Sequence, residues 1–266
     1  LRPINFAHII NTTNHIQQFA QKVTIESMQN AQKQSKINVD LYHTAFEDEW
    51  NQIDGFKRTA SLLKSSQNIQ TFKVTRKLPL ISDIIANLYD VSDANYFIYT
   101  NVDISLMPNF YNQVHQWIEQ NYDCLIINRK NIDAKKYTSI NQLKEMYKDE
   151  GETHVGMDCF VFKRSIVPKM NLQQLLIGVK SVDVGLYINL LCLSEKIHHE
   201  KEMKLTFHIG DDGIWTNNKF FDYNKHNKDE IEKIIVKFKQ AGLYNPIFKK
   251  RQDAEKYIRW KNTIQV

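Results

Sequence analysis

The sequence predicts an α/β domain built on a mainly parallel sheet with helices on both faces, and three observations lead there. Strand-like and helix-like runs alternate along the 266 residues, with no repeat and no low-complexity linker between them, which is the pattern of successive β-α units. Stretches such as "YFIYT" and "YDCLIINR" are continuously apolar, as strands buried on both faces are. Apolar residues make up 42% of the chain and charged residues 24%, an ordinary globular balance that excludes disorder.

In chain order, "INFAHIINTT" predicts a strand over 4–11 and a polar turn, with a helix from about 15 to 33. "INVDLYHTAF" alternates with period two and predicts the second strand. An acidic loop follows, then a short helix around 56–63 and a short strand in "IQTFKVT". "LPLISDIIANLYDVS" predicts a helix with Pro79 near its first turn, where a missing N–H costs nothing. "YFIYT" is the next strand, and the pattern over 108–120 is helical. Behind it come a buried strand in "YDCLIINR", a helix in "INQLKEMYKDEG" ending at Gly151, and a strand in "DCFVFKR". "VDVGLYINLLCLSEK" predicts a mostly buried helix whose end carries His198 and His199, and "MKLTFHIG" a late strand. Ile231, Ile234, Ile235 and Phe238 keep helical spacing, and Gly242 is placed to close that helix. The expected division is a main domain over 1–226 and a C-terminal helical extension over 227–266 packed on it.

Bulk properties narrow the function. The net charge of +5 suits an anionic partner, but Lys and Arg are scattered, so nothing indicates nucleic acid. Cys124, Cys159 and Cys192 form no C-x-x-C pair and lie in apolar runs, which predicts buried free thiols in a reducing, cytoplasmic setting and disfavours a zinc site. No apolar run approaches the ~20 residues of a membrane span. No signal peptide is visible, and a chain that starts at Leu1 is expected to lack its natural beginning. The C-terminal helices mix Lys and Arg with Ile and Phe, so a packed, solvated pair is expected, with peripheral contact to the inner membrane face as the alternative. There is no G-x-G-x-x-G and no P-loop, so those phosphate cradles are missing.

The chemistry concentrates in "YFIYTNVDIS". Its buried strand stops on Asn101 and Asp103, two positions apart, whose side chains return to the same side of an extended chain. Asx turns end strands this way too. In an open α/β sheet, however, ligands gather at the carboxyl ends of strands, and paired oxygen donors there suit Mg²⁺ or Mn²⁺ with a substrate diphosphate completing the shell.

At this point the chain resembles the GT-A glycosyltransferases, in which an apolar strand ends in a D-x-D or related motif that holds a metal and a sugar nucleotide. Here the motif reads "TNVDI", with Asn101 in place of the first Asp. The resemblance runs from Ile4 to about Trp215 and implies a three-layer α/β/α sandwich with C-terminal helices. It also implies a nucleotide-diphosphate sugar donor, a glycan or other hydroxyl acceptor, and a divalent metal, Mn²⁺ or Mg²⁺, with surface polysaccharide or glycoconjugate synthesis as the setting.

The resemblance assigns further residues. The loop "INTTN" would receive base and ribose through Asn11, Thr12 and Thr13, which could equally cap the next helix. "TRKLPLISDIIANL" would meet the diphosphate through Arg76 and Lys77, with Asp83 and Asn87 beside them. His208, closing "LTFH", would be a third metal ligand, and Asp211, Asp212 and Trp215 follow it. Asp158, next to Gly156 and His154, is the expected acceptor-side carboxylate, and Asp183 in "SVDVGLY" the second candidate for catalysis. Two other functions compete. A nucleotide-binding or regulatory module without catalysis is favoured by Asn101, since a lost carboxylate weakens metal binding. A nucleotidyltransferase ranks last, because "INTTN" lacks the Gly-rich loop it needs.

Overall fold

A computed structural model describes residues 3–14, 18–210 and 218–243. The architecture is the expected three-layer α/β/α sandwich around a mixed, mostly parallel sheet. Among the described residues the nine strands are β1 (Asn5–Asn11), β2 (Asn38–Thr44), β3 (Phe56–Arg58), β4 (Tyr96–Thr100), β5 (Ile104–Leu106), β6 (Cys124–Ile132), β7 (Glu152–Lys163), β8 (Ile197–Glu200) and β9 (Thr206–Ile209). The sheet order is β3-β2-β1-β4-β7-β6-β9-β5, with β8 also paired to β6. Strands β5 and β7 run against the rest. Strand β6 uses one edge twice: its first half pairs with β8, and Arg129 to Ile132 pair with β9.

The helices are α1 (Gln18–Lys33), α2 (Ile81–Val91), α3 (Phe110–Glu119), α4 (Leu143–Lys148), α5 (Val182–Leu193) and α6 (Phe221–Gln240). Helix α1 buries Ala20, Val23, Thr24, Ser27, Met28 and Ala31, a stripe at three- and four-residue spacing. Together with α3 it covers the sheet face that carries Phe6, Ile10, Ile98 and Val161. Helices α2, α5 and α6 cover the other face, which carries Ala7, Ile9, Phe97, Tyr99 and Phe160. Helix α5 is buried nearly all round because it lies between the sheet and α6, whose Ile231, Ile234 and Phe238 belong to the same core. Gly242 follows α6 with φ +66°, the left-handed conformation expected of a closing glycine.

Three local expectations are corrected, and one strand is additional. The segment near residue 56 is the short edge strand β3, paired in parallel with Leu41 to His43, and not a helix. "IQTFKVT" forms no strand: Phe72 stacks on Tyr223 of α6 at 3.8 Å between ring centres, and the Lys73 N–H donates to Asp222, so tertiary contacts hold it in place of a ladder. His198 and His199 lie on β8, not at a helix end. They face opposite ways, His198 against Trp117 and Tyr122, His199 against Tyr187 and Asn128. Strand β5 was not anticipated, since three residues carry no period; it exists because β9 pairs with it. Cys124 and Cys159 are buried thiols outside any disulfide, as expected, whereas Cys192 is half-buried. No described helix is long and apolar enough to cross a membrane.

Candidate functional site

The carboxyl ends of β1, β2, β4, β6 and β9 share one edge of the sheet, and β7 enters the sheet from that edge. Asn101 and Asp103 leave β4 there. Strand β5 begins one residue after Asp103 and pairs with β9 so that Ile104 faces His208, while Asn131 of β6 faces His208 from the other side. The sheet therefore brings Asp103 and His208 together across a long stretch of sequence. His208 Nε2 lies 3.4 Å from Asp103 Oδ2, with the two side chains 1% and 13% exposed.

The donor chemistry of this pair fits a hard cation. His208 Nδ1 is 3.0 Å from the Gly210 carbonyl, and a carbonyl only accepts, so Nδ1 carries a proton and Nε2 is the atom turned to the carboxylate, its ion-pair partner when protonated and a ligand atom when not. Either way the Asp103 carboxylate is stabilised by positive charge beside it, an imidazolium proton or a bound cation. Asp103 Oδ1 is buried and has no hydrogen-bond partner among the described residues, which is costly for a carboxylate oxygen unless something positive or hydrogen-bearing meets it. Among the described residues no group of three or more His, Cys, Asp or Glu is arranged to hold a metal. Among the described residues the pair offers two donors, a count that suits an ion keeping several waters and substrate oxygens.

Beside this pair lies Asp158. Asn101 donates from Nδ2 to Asp158 Oδ1 at 3.2 Å, and Arg129 donates from Nη1 to Asp158 Oδ2 at 2.7 Å. Arg129 also donates from Nε to Asn131 Oδ1 at 3.0 Å. Burial pushes the Asp158 carboxyl up from its ordinary pKa; Arg129 and His208 pull it down, and Asp183 and Asp103 push it up. Asp183, buried in the first turn of α5, is thus one of the charges that act on Asp158. Tyr99, its hydroxyl kept protonated by burial and by Asp103 and Asp158, donates to Asn101 Oδ1 at 2.8 Å.

The local backbone explains why Asp158 points here. The β6–β7 ladder shifts register between Ile127 and Asn128 and again between Asn128 and Lys130. Bulges of this kind bend a strand and re-aim its side chains. Gly156 makes room for the result: a Cβ there would lie 2.8 Å from Asp158 Oδ2 and 2.7 Å from His154 Nδ1.

The structure brings Asn101, Asp103, Asp158, Asp183 and His208 together. Asn11 and Thr12 end β1 at the same sheet edge, where Asn11 Nδ2 donates to the Thr44 carbonyl and Thr12 Oγ1 is 3.3 Å from His43 Nδ1. The Thr13 backbone exchanges hydrogen bonds with the Gln21 side chain, which ties the loop to α1. Lys77 pairs with Asp48 and sits 4.3 Å from the centre of the Phe46 ring. Arg76 lies over Phe220, and its N–H donates to the Tyr223 hydroxyl. Asp83 accepts from Ser82 in the first turn of α2, and Asn87 donates to the Thr44 hydroxyl and the Ala60 carbonyl. Asp211, Asp212 and Trp215 lie outside the described residues. Arg129, Asn131 and Tyr99 join this candidate site through their hydrogen bonds and were not expected from the sequence. Arg129 carries the same signal as Asn101, a polar residue toward the carboxyl end of a buried strand.

No family model matches the chain, and no curated protein matches it. Among solved structures, S. aureus TarS 1–349 is similar with a TM-score of 0.46 and 8% identity, covering 91% of this chain and 74% of that one. Its complex with UDP-GlcNAc gives 0.44 at 8% identity, over 88% and 72%. The catalytic domain of Drosophila beta1,4galactosyltransferase 7, in complex with xylobiose, gives 0.44 at 12% identity, over 76% and 67%. At these scores the likeness says nothing about which molecule this chain binds.

Proposed function

We propose that the chain is a glycosyltransferase that moves a sugar from a nucleotide-diphosphate sugar to an acceptor hydroxyl, assisted by Mn²⁺ or Mg²⁺. The observation that carries the proposal is the meeting of Asp103 and His208 at the carboxyl edge of the sheet, beside the carboxylates of Asp158 and Asp183. Asp103 and His208 would hold the cation, which when bound would neutralise charge on the departing diphosphate. Asn11 and Thr12 line the edge where base and ribose would lie, and Arg76, Lys77 and Asp83 stand at the approach to α2 for the diphosphate. Asp158 and Asp183 face the acceptor side, where one accepts the hydroxyl proton and both orient sugar hydroxyls.

The second reading, a nucleotide-binding module without catalysis, is favoured by the state of Asn101. Its carboxamide is engaged by Tyr99 and Asp158, so the strand end supplies one carboxylate to a cation and not two. A thermal-shift panel of nucleoside diphosphates and their sugars, with and without Mn²⁺, tests both. A Mn²⁺-dependent shift for one nucleotide that disappears in Asp103→Ala, together with release of free nucleoside diphosphate from its sugar, supports transfer. A shift without turnover supports the module, and no shift with any nucleotide sinks both.

A further inference from the structure

Asn101 stands where the resemblance places the first metal-binding carboxylate, yet its hydrogen bonds lead elsewhere. Tyr99 occupies its carbonyl oxygen, and its amide nitrogen is turned to Asp158. Asp158 is met from both flanking strands: Asn101, at the end of β4, reaches Oδ1, and Arg129, on β6, reaches Oδ2. Each carboxylate oxygen thus has one fixed donor. A buried carboxylate near Asp103 and Asp183 needs such donors, because burial and like charge both disfavour its ionised form. A carboxylate at position 101 would place a fourth negative group within hydrogen-bond distance of Asp158 and would remove a donor.

We propose that Asn101 is a positioning residue and not a cation ligand: with Arg129 it clamps the Asp158 carboxylate in one orientation, and Asp103 and His208 supply the donors to the cation. The proposal deepens the reading of the site as cation-binding and rests on that reading for its statement about the ligands. The clamp rests on the hydrogen bonds alone. It accounts for Asn in place of Asp at this strand end as a requirement of the site: the neighbour is an acceptor, so the position demands a donor.

Two measurements on the full chain test it. Mn²⁺ alone is titrated by electron paramagnetic resonance into the wild type, Asn101→Ala and Asp103→Asn. The expected result is a dissociation constant within about threefold of wild type for Asn101→Ala and a loss of at least about tenfold for Asp103→Asn. Equal losses in the two variants overturn the proposal. Urea unfolding is then compared for Asn101→Ala, Asn101→Asp, Asp158→Asn and the exchange variant Asn101→Asp/Asp158→Asn. Asn101→Asp raises the unfolding constant by at least about tenfold and by more than Asn101→Ala does, and the exchange, which restores one donor facing one acceptor, recovers most of that loss. Asn101→Asp no worse than Asn101→Ala, or an exchange variant that recovers nothing, overturns the clamp. A wild type that binds no Mn²⁺ removes the cation from the proposed function, and the exchange variant still decides the clamp.

Discussion

Lowering the pH from 7 to 5 removes stability through His8, and the amount follows from its surroundings. The side chain is fully buried on β1, with Nδ1 2.9 Å from the Tyr111 hydroxyl and Nε2 3.0 Å from the Thr100 hydroxyl. Burial pushes its pKa down from 6.5 to about 3. Between those values the unfolded chain binds a proton at this position and the folded chain does not, so stability falls as the pH falls, beginning near 6.5 and ending near 3. One pH unit across this window is worth about 1.4 kcal/mol, so the loss by pH 5 is about 2 kcal/mol. His43 and His199, both lowered to about 4 chiefly by burial, act in the same direction. Asp158, whose pKa is raised, acts in the opposite one. The His8 share is isolated by urea unfolding of the wild type and His8→Asn at pH 7 and pH 5, read by tryptophan fluorescence. The stability gap between the two proteins should be about 2 kcal/mol smaller at pH 5 than at pH 7. A gap unchanged by pH would refute the argument, since it would mean that His8 takes up a proton in the folded state as easily as in the unfolded one.

Two further substitutions probe the site and its frame. Gly156→Ala puts a methyl group 2.8 Å from Asp158 Oδ2 and should displace the carboxylate. Transfer activity should fall by at least about tenfold, while Mn²⁺ binding stays at the wild-type level; unchanged activity would show that the Asp158 position is not critical. Asn227→Ala should cost about 3 kcal/mol in urea unfolding, because fully buried Asn227 accepts from the Leu176 N–H and donates to the Leu176 and Lys180 carbonyls, joining α6 to the segment before α5. A loss below about 1 kcal/mol would show that these groups find other partners.

What the sequence determined by itself were the features written in local periodicity: the buried strands β1, β4 and β6, the amphipathic stripes of α1, α2 and α3, and the polar residues at which β4 stops. Apolar spacing encodes such elements because each must bury one face or both, whichever neighbour covers it. Strand β3, strands β5 and β8, and the unpaired run around Phe72 were decided by tertiary structure. The three strands are too short to carry a period, and each of these segments takes its form from what lies beside it, β2, β9, β6 or Tyr223. The candidate site divides the same way. Asn101 and Asp103 could be nominated from the polar end of a buried strand, whereas Asp158, Asp183 and His208 were nominated through the family resemblance. Their meeting depends on β9 bridging β5 and β6 and on a bulged β7 that turns Asp158 toward Asn101 and Arg129. Strand pairing joins residues distant in sequence through backbone hydrogen bonds common to every residue type, so the side chains alone do not announce which strands will meet.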